Sequence, residues 1–455
     1  MLPSLLRRHG HGETQSKSNA RRDGLFLLLL GCAVLVMFGP LLENISPWAM
    51  IDFKLPYYSA RCLLKDCDPY NGTEVLRVYQ AEGETRLLEK VNGSPNATRL
   101  VYLPTIFVFT SPLALLPFGP AHLIWMTSEV GGLIVCSFLM WNSGAKYSPI
   151  LSGCLIGFML ANSELLAILG NPAGIAISFC IGAVWFFAKK RHEGAGVLCL
   201  AAGLMVKPHD VGFVWLYFLL AGDMYRKRAL QSLLVASALS APAVLWVTWV
   251  GPSWVSDLHG TLESISAHGA LNDPGPASSG AHSLGMMVNL QTIVSYIRDD
   301  PSFYNSVTYV ICGVLLVVWM RTTIRSRPST ARTWLALAAI SAFTMLPVYH
   351  RQIDTKLLLL TVPACALLCA EGGRIGRLAA LITGAAFVLT GDIPWVIALR
   401  IINHVHLPDR PFFGRILIAV QILPIPLVLL AVCVFYLWVY VRRAPESEIT
   451  CEVKS

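Results

Sequence analysis

In the stretch IDFKLPYYSARCLLKDCDPYN, residues 51–71, one carboxylate, Asp52, stands shortly after the first long apolar run, followed by Tyr57 and Tyr58. A carboxylate so placed can accept the proton of an attacking hydroxyl. Lys207, in KPHD, and Arg351, in YHRQID, can hold a phosphate through charge-assisted hydrogen bonds. His209, Asp210 and His350 accompany them, and Asn171 occupies a GNP turn. Tyrosine and tryptophan rings offer apolar faces with polar edges, which suit sugars. These parts fit glycosyl transfer from a lipid phosphate without demanding it.

Each residue also has a plainer role open to it. Asp52 could be a solvated loop acid or a helix N-cap. Lys207 could snorkel to the interface. His209 and Asp210 could pair at a helix end, and Asp354 with Lys356 could do likewise. Glu129, in mid-span, could bond a neighbouring helix. His404 and His406 have H-x-H spacing, which is too common to imply a metal, and no metal site is expected. The chain has no Walker loop, G-x-S-x-G or H-E-x-x-H, so nucleotide hydrolysis, serine hydrolase and zincin chemistry lack support.

The elements that must position these groups follow from composition. Of 455 residues, 55% are hydrophobic and only 14% charged, with a mean hydropathy of +0.59. Soluble domains run nearer a quarter charged, so this is expected to be a polytopic membrane protein, all-α because lipid leaves no other way to satisfy the backbone. The net charge of +8 then marks cytoplasmic loops rather than a nucleic-acid partner.

Basic clusters at Arg21-Arg22, Lys189 to Arg191, Arg226 to Arg228, Arg321 to Arg332, Arg374 with Arg377, and Arg442-Arg443 fix a parity. About 12 crossings satisfy it, at roughly 24–41, 121–141, 149–169, 171–188, 193–206, 209–222, 229–250, 303–320, 332–348, 355–370, 378–395 and 415–440. The proline-bearing segment 101–117 is then re-entrant or interfacial. The chain divides into a cytoplasmic basic tail (1–23), following which an uncleaved anchor opens a single membrane domain (24–441), and a cytoplasmic C-terminal tail (442–455). External loops at 42–120 and 251–302 belong to that domain; the second, rich in Gly, Ser and Pro, reads equally as an acceptor-side lid or a linker. Cys62 and Cys67 share the first loop and can pair if that side is oxidising. Asn71 and Asn96 carry sequons that would face outward. All the polar residues named as candidates fall on that same external side, where a water-accessible opening would gather them.

At these residues the chain resembles a known family. DFKLPYYSARCLLKDCDPYN is similar to the first external loop of the polyprenol-phosphate-sugar-dependent glycosyltransferases of family 87, relatives of mycobacterial mannosyl- and arabinosyltransferases. YLPTIFVFTSPLALLPFGPAHLIW resembles their Y-x-P-P segment, with Leu103 in place of one proline. AGVLCLAAGLMVKPHD resembles the A-G-x-x-L-x-x-A-x-x-x-K-P segment, and VYHRQIDTKLLLLTVPA the late segment with an external histidine. LGNPAG stands where the family often has G-Q-x-N.

The resemblance implies a GT-C-like bundle in a bacterial plasma membrane, its active site facing the external or periplasmic side. It implies a polyprenyl-phosphate sugar donor, a lipid or glycan acceptor, and transfer of a hexose or pentose, mannose-like first, with inversion. Asp52 takes the place of the proposed base and His350 that of the late histidine, assisting acceptor or phosphate. Lys207 and Arg351 are phosphate candidates by charge; His209, Asp210, Tyr57, Tyr58 and Asn171 complete the substrate-binding set. No cofactor is certain, and a divalent cation at the phosphate stays open. A multi-pass transporter or flippase for a lipid-linked or polar solute is the competing reading, although no internal repeat supports it.

Overall fold

The computed structural model describes residues 3–443 except 47, 83–97, 191, 277, 279–286, 328, 395 and 398–423, with side chains from Ser18 onward, Asp223 excepted. Asn96, His404 and His406 lie outside the described residues. Among the described residues the backbone is helical, and a lone antiparallel bridge joins Met287 to Arg351.

Every span expected from the sequence coincides, in its described part, with helix. Among the described residues, seven helices are long and apolar enough to cross a membrane: Ser18–Ile45, Phe118–Gly144, Pro149–Leu169, Met224–Val250, Pro301–Arg325, Gln352–Glu371 and Pro424–Arg442. The other expected spans fall on the shorter helices Ala173–Lys189, Glu193–Val206, Pro208–Leu220, Thr330–Thr344 and Gly373–Leu389. The segment expected not to cross forms the 3-10 turn Pro104–Ile106 and the helix Phe107–Ala114. At 1.5 Å per residue this helical stretch is only about 16 Å long, half of a hydrocarbon core.

Helix alternation sends the basic residues to one end of the bundle. There Arg228 pairs with Glu193, Arg443 Nη2 lies 2.7 Å from Glu371 Oε1, and Arg332 donates to the Arg443 carbonyl. At the opposite helix ends stand Asn171, which bonds to Asp52, and Lys207, Asp210 and Asp354, which side-chain contacts join to one another.

Glycine sets the closest approach. In GCLIG, Gly153 and Gly157 present a small-xxx-small face to the first helix. A Cβ on Gly153 would lie 2.0 Å from the Gly24 carbonyl oxygen, and one on Gly157 would lie 2.3 Å from that of Leu27. The two backbones therefore touch, and no larger residue fits between them.

Candidate active site

Asp52 is in the first turn of a helix, Ile51–Leu63, in what was expected to be loop. Met50, in the left-handed region at φ 55°, is its N-cap, so Asp52 is not. Met50 N–H donates to the Ile168 carbonyl at 2.7 Å, tying this helix start to the end of the helix Glu164–Leu169. Pro56 lacks the N–H that the Asp52 carbonyl would otherwise meet one turn on.

The Gly170–Asn171 turn fixes the carboxylate. Gly170 ends the preceding helix at φ +62°, and a Cβ there would lie 2.8 Å from the Met50 thioether and 3.1 Å from Phe53 Cβ. Its carbonyl accepts from Trp125 Nε1 at 3.0 Å, while the Trp125 ring stacks on Phe53 at 4.6 Å between centroids. Asn171 follows, with Oδ1 accepting from Ala173 N–H at 2.9 Å and Nδ2 donating to Asp52 Oδ2 at 2.7 Å. The backbone donor to Oδ1 decides which way the amide points. Among the described residues, nothing hydrogen-bonds to Asp52 Oδ1.

Burial pushes the Asp52 carboxyl above the usual carboxylate range. The Asn171 hydrogen bond and the charges of Arg351 and Lys207 oppose that rise, and the charge of Asp354 adds to it. These groups are thus close enough to act on one another.

The two cations differ. Lys207 is buried, bonded to Asp354 and 3.2 Å from Asp210 Oδ2. The Asp354–Lys356 pairing left open by the sequence is not made: residues two apart on a helix point to different sides, and Lys356 goes instead to the Asn162 carbonyl at 2.7 Å and to Asp392 at 3.5 Å. Arg351 makes no ion pair with a carboxylate among the described residues. Its guanidinium donates to the Tyr349 hydroxyl and, at 3.1 Å, to Asn272 Oδ1.

The external loop expected at 251–302 positions Arg351. Asp273, fully buried, gathers the loop by accepting from Gly269 N–H at 2.6 Å, Gly275 N–H at 3.0 Å and the Tyr304 hydroxyl at 3.0 Å. Val288 N–H donates to the His350 carbonyl at 3.0 Å and Gln291 Nε2 to the Pro347 carbonyl at 2.8 Å.

His350 is buried and turned from Asp52 toward Asp210. His350 Nδ1 meets the Val348 carbonyl at 3.1 Å, and Nε2 lies 3.1 Å from Asp210 Oδ1. His209 Nε2 lies 3.6 Å from that same oxygen. His209, Asp210 and His350 are also the group near the site with spacing fit for a metal ion.

Tyr57 and Tyr58 do not reach the site. Both are buried: Tyr57 donates to the Leu116 carbonyl at 2.8 Å, and Tyr58 packs on Tyr79 at 4.4 Å between centroids. Five and six residues on from Asp52, they turn about 140° and 240° around the helix, away from the carboxylate. Cys62 and Cys67 are disulfide-bonded.

The family model of glycosyltransferase family 87 matches residues 100–347, more than half of the chain. The chain belongs to glycosyltransferase family 87. No curated protein and no solved structure matches it. This family 87 protein is accordingly a membrane glycosyltransferase, taking sugar from a donor to an acceptor. The match contains Asn171, Lys207, His209 and Asp210, while Asp52 precedes it and His350, Arg351 and Asp354 follow it.

Asp354, Tyr349 and Asn272 are the members of the candidate site that sequence reasoning did not select. Asp354 and Tyr349 were in view in the YHRQID stretch, but Asp354 was considered only as a partner for Lys356. Asn272 had no signal, since its role comes from the loop fold around Asp273.

Proposed function

We propose that this glycosyltransferase moves a sugar, mannose-like first, from a polyprenyl-phosphate donor to the hydroxyl of a lipid or glycan acceptor, with inversion, on the external face of a bacterial plasma membrane. The observation that carries this reading is Asp52 itself: a half-buried carboxylate, one oxygen held by Asn171 and the other without a hydrogen bond from the described residues, near a guanidinium that has no carboxylate partner.

In that reading Asp52 Oδ1 takes the proton of the acceptor hydroxyl as its oxygen forms a bond to the anomeric carbon. The bond from that carbon to the phosphate oxygen breaks, and the phosphate leaves with the electron pair. Arg351 meets the charge that develops there. One in-line displacement of a phosphate needs no second catalytic carboxylate, unlike glycosidases, which use a pair. Lys207 organises Asp210 and Asp354 rather than binding phosphate, because two carboxylates already claim its charge. The paired Cys62 and Cys67 support an oxidising side for this end, and the basic clusters at the other end support a cytoplasmic orientation there.

Purified full-length protein in nanodiscs, supplied with radiolabelled polyprenyl-phosphate mannose and a membrane lipid extract, tests the reading. A new labelled glycoside with inverted anomeric configuration is expected. Labelled solute carried across proteoliposomes without any new glycoside would overturn it in favour of transport.

A further inference from the structure

We propose that His209, Asp210 and His350 form a binding site for a zinc-class transition-metal ion, linking the start of the helix Pro208–Leu220 to the segment that carries Arg351. His350 lies between two oxygens, the Val348 carbonyl and Asp210 Oδ1. Its Nδ1 faces a carbonyl oxygen, which can only accept, so that nitrogen carries the proton. In the neutral imidazole Nε2 then offers a lone pair, and a carboxylate oxygen, Asp210 Oδ1, stands 3.1 Å away. These two atoms are buried, and neither has a hydrogen-bond partner. Two acceptors facing one another inside a protein call for a cation between them.

The spacing fits that ion. Ligand bonds of 2.0–2.2 Å in tetrahedral geometry put neighbouring ligand atoms about 3.3 Å apart. The observed separations from Asp210 Oδ1 are 3.1 Å to His350 Nε2 and 3.6 Å to His209 Nε2, and the three ligand atoms lie within 4.8 Å of one another. Two imidazoles and one carboxylate are the donor set of zinc and its neighbours rather than of magnesium or calcium. A support shell exists as well: the Val348 carbonyl orients His350, and Lys207 holds the other oxygen of Asp210 at 3.2 Å. His209, with its side chain 40% exposed, provides an entry path and leaves a fourth position for water or an anionic oxygen. Lys207 opposes a cation, but Asp354 shares its charge.

The test counts metal and does not depend on transfer. Full-length protein in nanodiscs is incubated with Zn²⁺, desalted and assayed by inductively coupled plasma mass spectrometry. Wild type is expected to retain about one zinc per chain, the Asp52→Asn variant the same, and His209→Ala and Asp210→Asn at least about tenfold less. Co²⁺ in place of zinc should give tetrahedral visible absorption bands that both ligand variants lose. If Asp210→Asn does not fold, His209→Ala, at an exposed position, decides. Wild type retaining no more zinc than His209→Ala, as a proton held between His350 and Asp210 would give, overturns the site.

Discussion

Asn171 Nδ2 donates to Asp52 Oδ2 at 2.7 Å across 119 residues of sequence, and the same amide accepts from Ala173 N–H. The proposed base is therefore aimed by the turn that starts the next helix. Removing the amide with Asn171→Ala leaves the carboxylate in place but loose. A hydrogen bond to a charged group is worth about 1.5–3 kcal/mol, so kcat/KM should fall about tenfold to a hundredfold with the fold intact. Steady-state kinetics beside a thermal melt checks both halves.

The pH profile follows from the same geometry. A base acts when deprotonated, and burial raises the Asp52 pKa, so transfer should be absent in acid and appear as pH rises through a value above the usual carboxylate range of about 3.9. Asn171→Ala and Arg351→Gln each remove a group that opposes the rise, so each should move the acid limb to higher pH. Stability carries the opposite sign: the contribution from a raised carboxyl is present below its unfolded pKa and is lost as pH rises through the folded one. A pH series of kcat/KM, read for each variant, measures the limb.

Lys207 and Arg351 should separate cleanly. Arg351→Met removes a cation that makes no ion pair among the described residues, and donor KM should rise at least about tenfold with little change in melting temperature. Lys207→Met strands Asp210 and Asp354 in a buried site, which costs about 3–5 kcal/mol, so its main effect should be a lower melting temperature. The reverse pattern would exchange the two roles.

Backbone contact at Gly157 predicts a packing defect far from the chemistry. Gly157→Leu must push the first helix away, at about 1–3 kcal/mol or more, and should lower the melting temperature in detergent. Gly131→Ala, where a Cβ meets nothing within 4 Å, should not.

Orientation is read by labelling intact cells with a membrane-impermeant maleimide. Gly260→Cys, exposed at the site end, should react, and Arg325→Cys, exposed at the basic end, should not. Each variant needs a background in which the reactive native cysteines are replaced.

The helices were legible because hydrophobic runs in lipid have one solution, and the parity of the basic clusters ordered their ends. Asp52, Lys207 and Arg351 were legible as residue types in the right motifs. Their partners were not: Asp52 meets Asn171, and Lys207 meets Asp354, through tertiary contacts spanning 119 and 147 residues, which no local spacing encodes. Tyr57 and Tyr58 were read as part of the external loop 42–120, whereas residues 51–63 form a helix that turns both rings into the core.

The central claim is that Asp52 is the base. Membranes carrying Asp52→Asn, given radiolabelled polyprenyl-phosphate sugar, should bind the donor as wild type does while transfer falls to background. Transfer at the wild-type rate by Asp52→Asn would contradict the account.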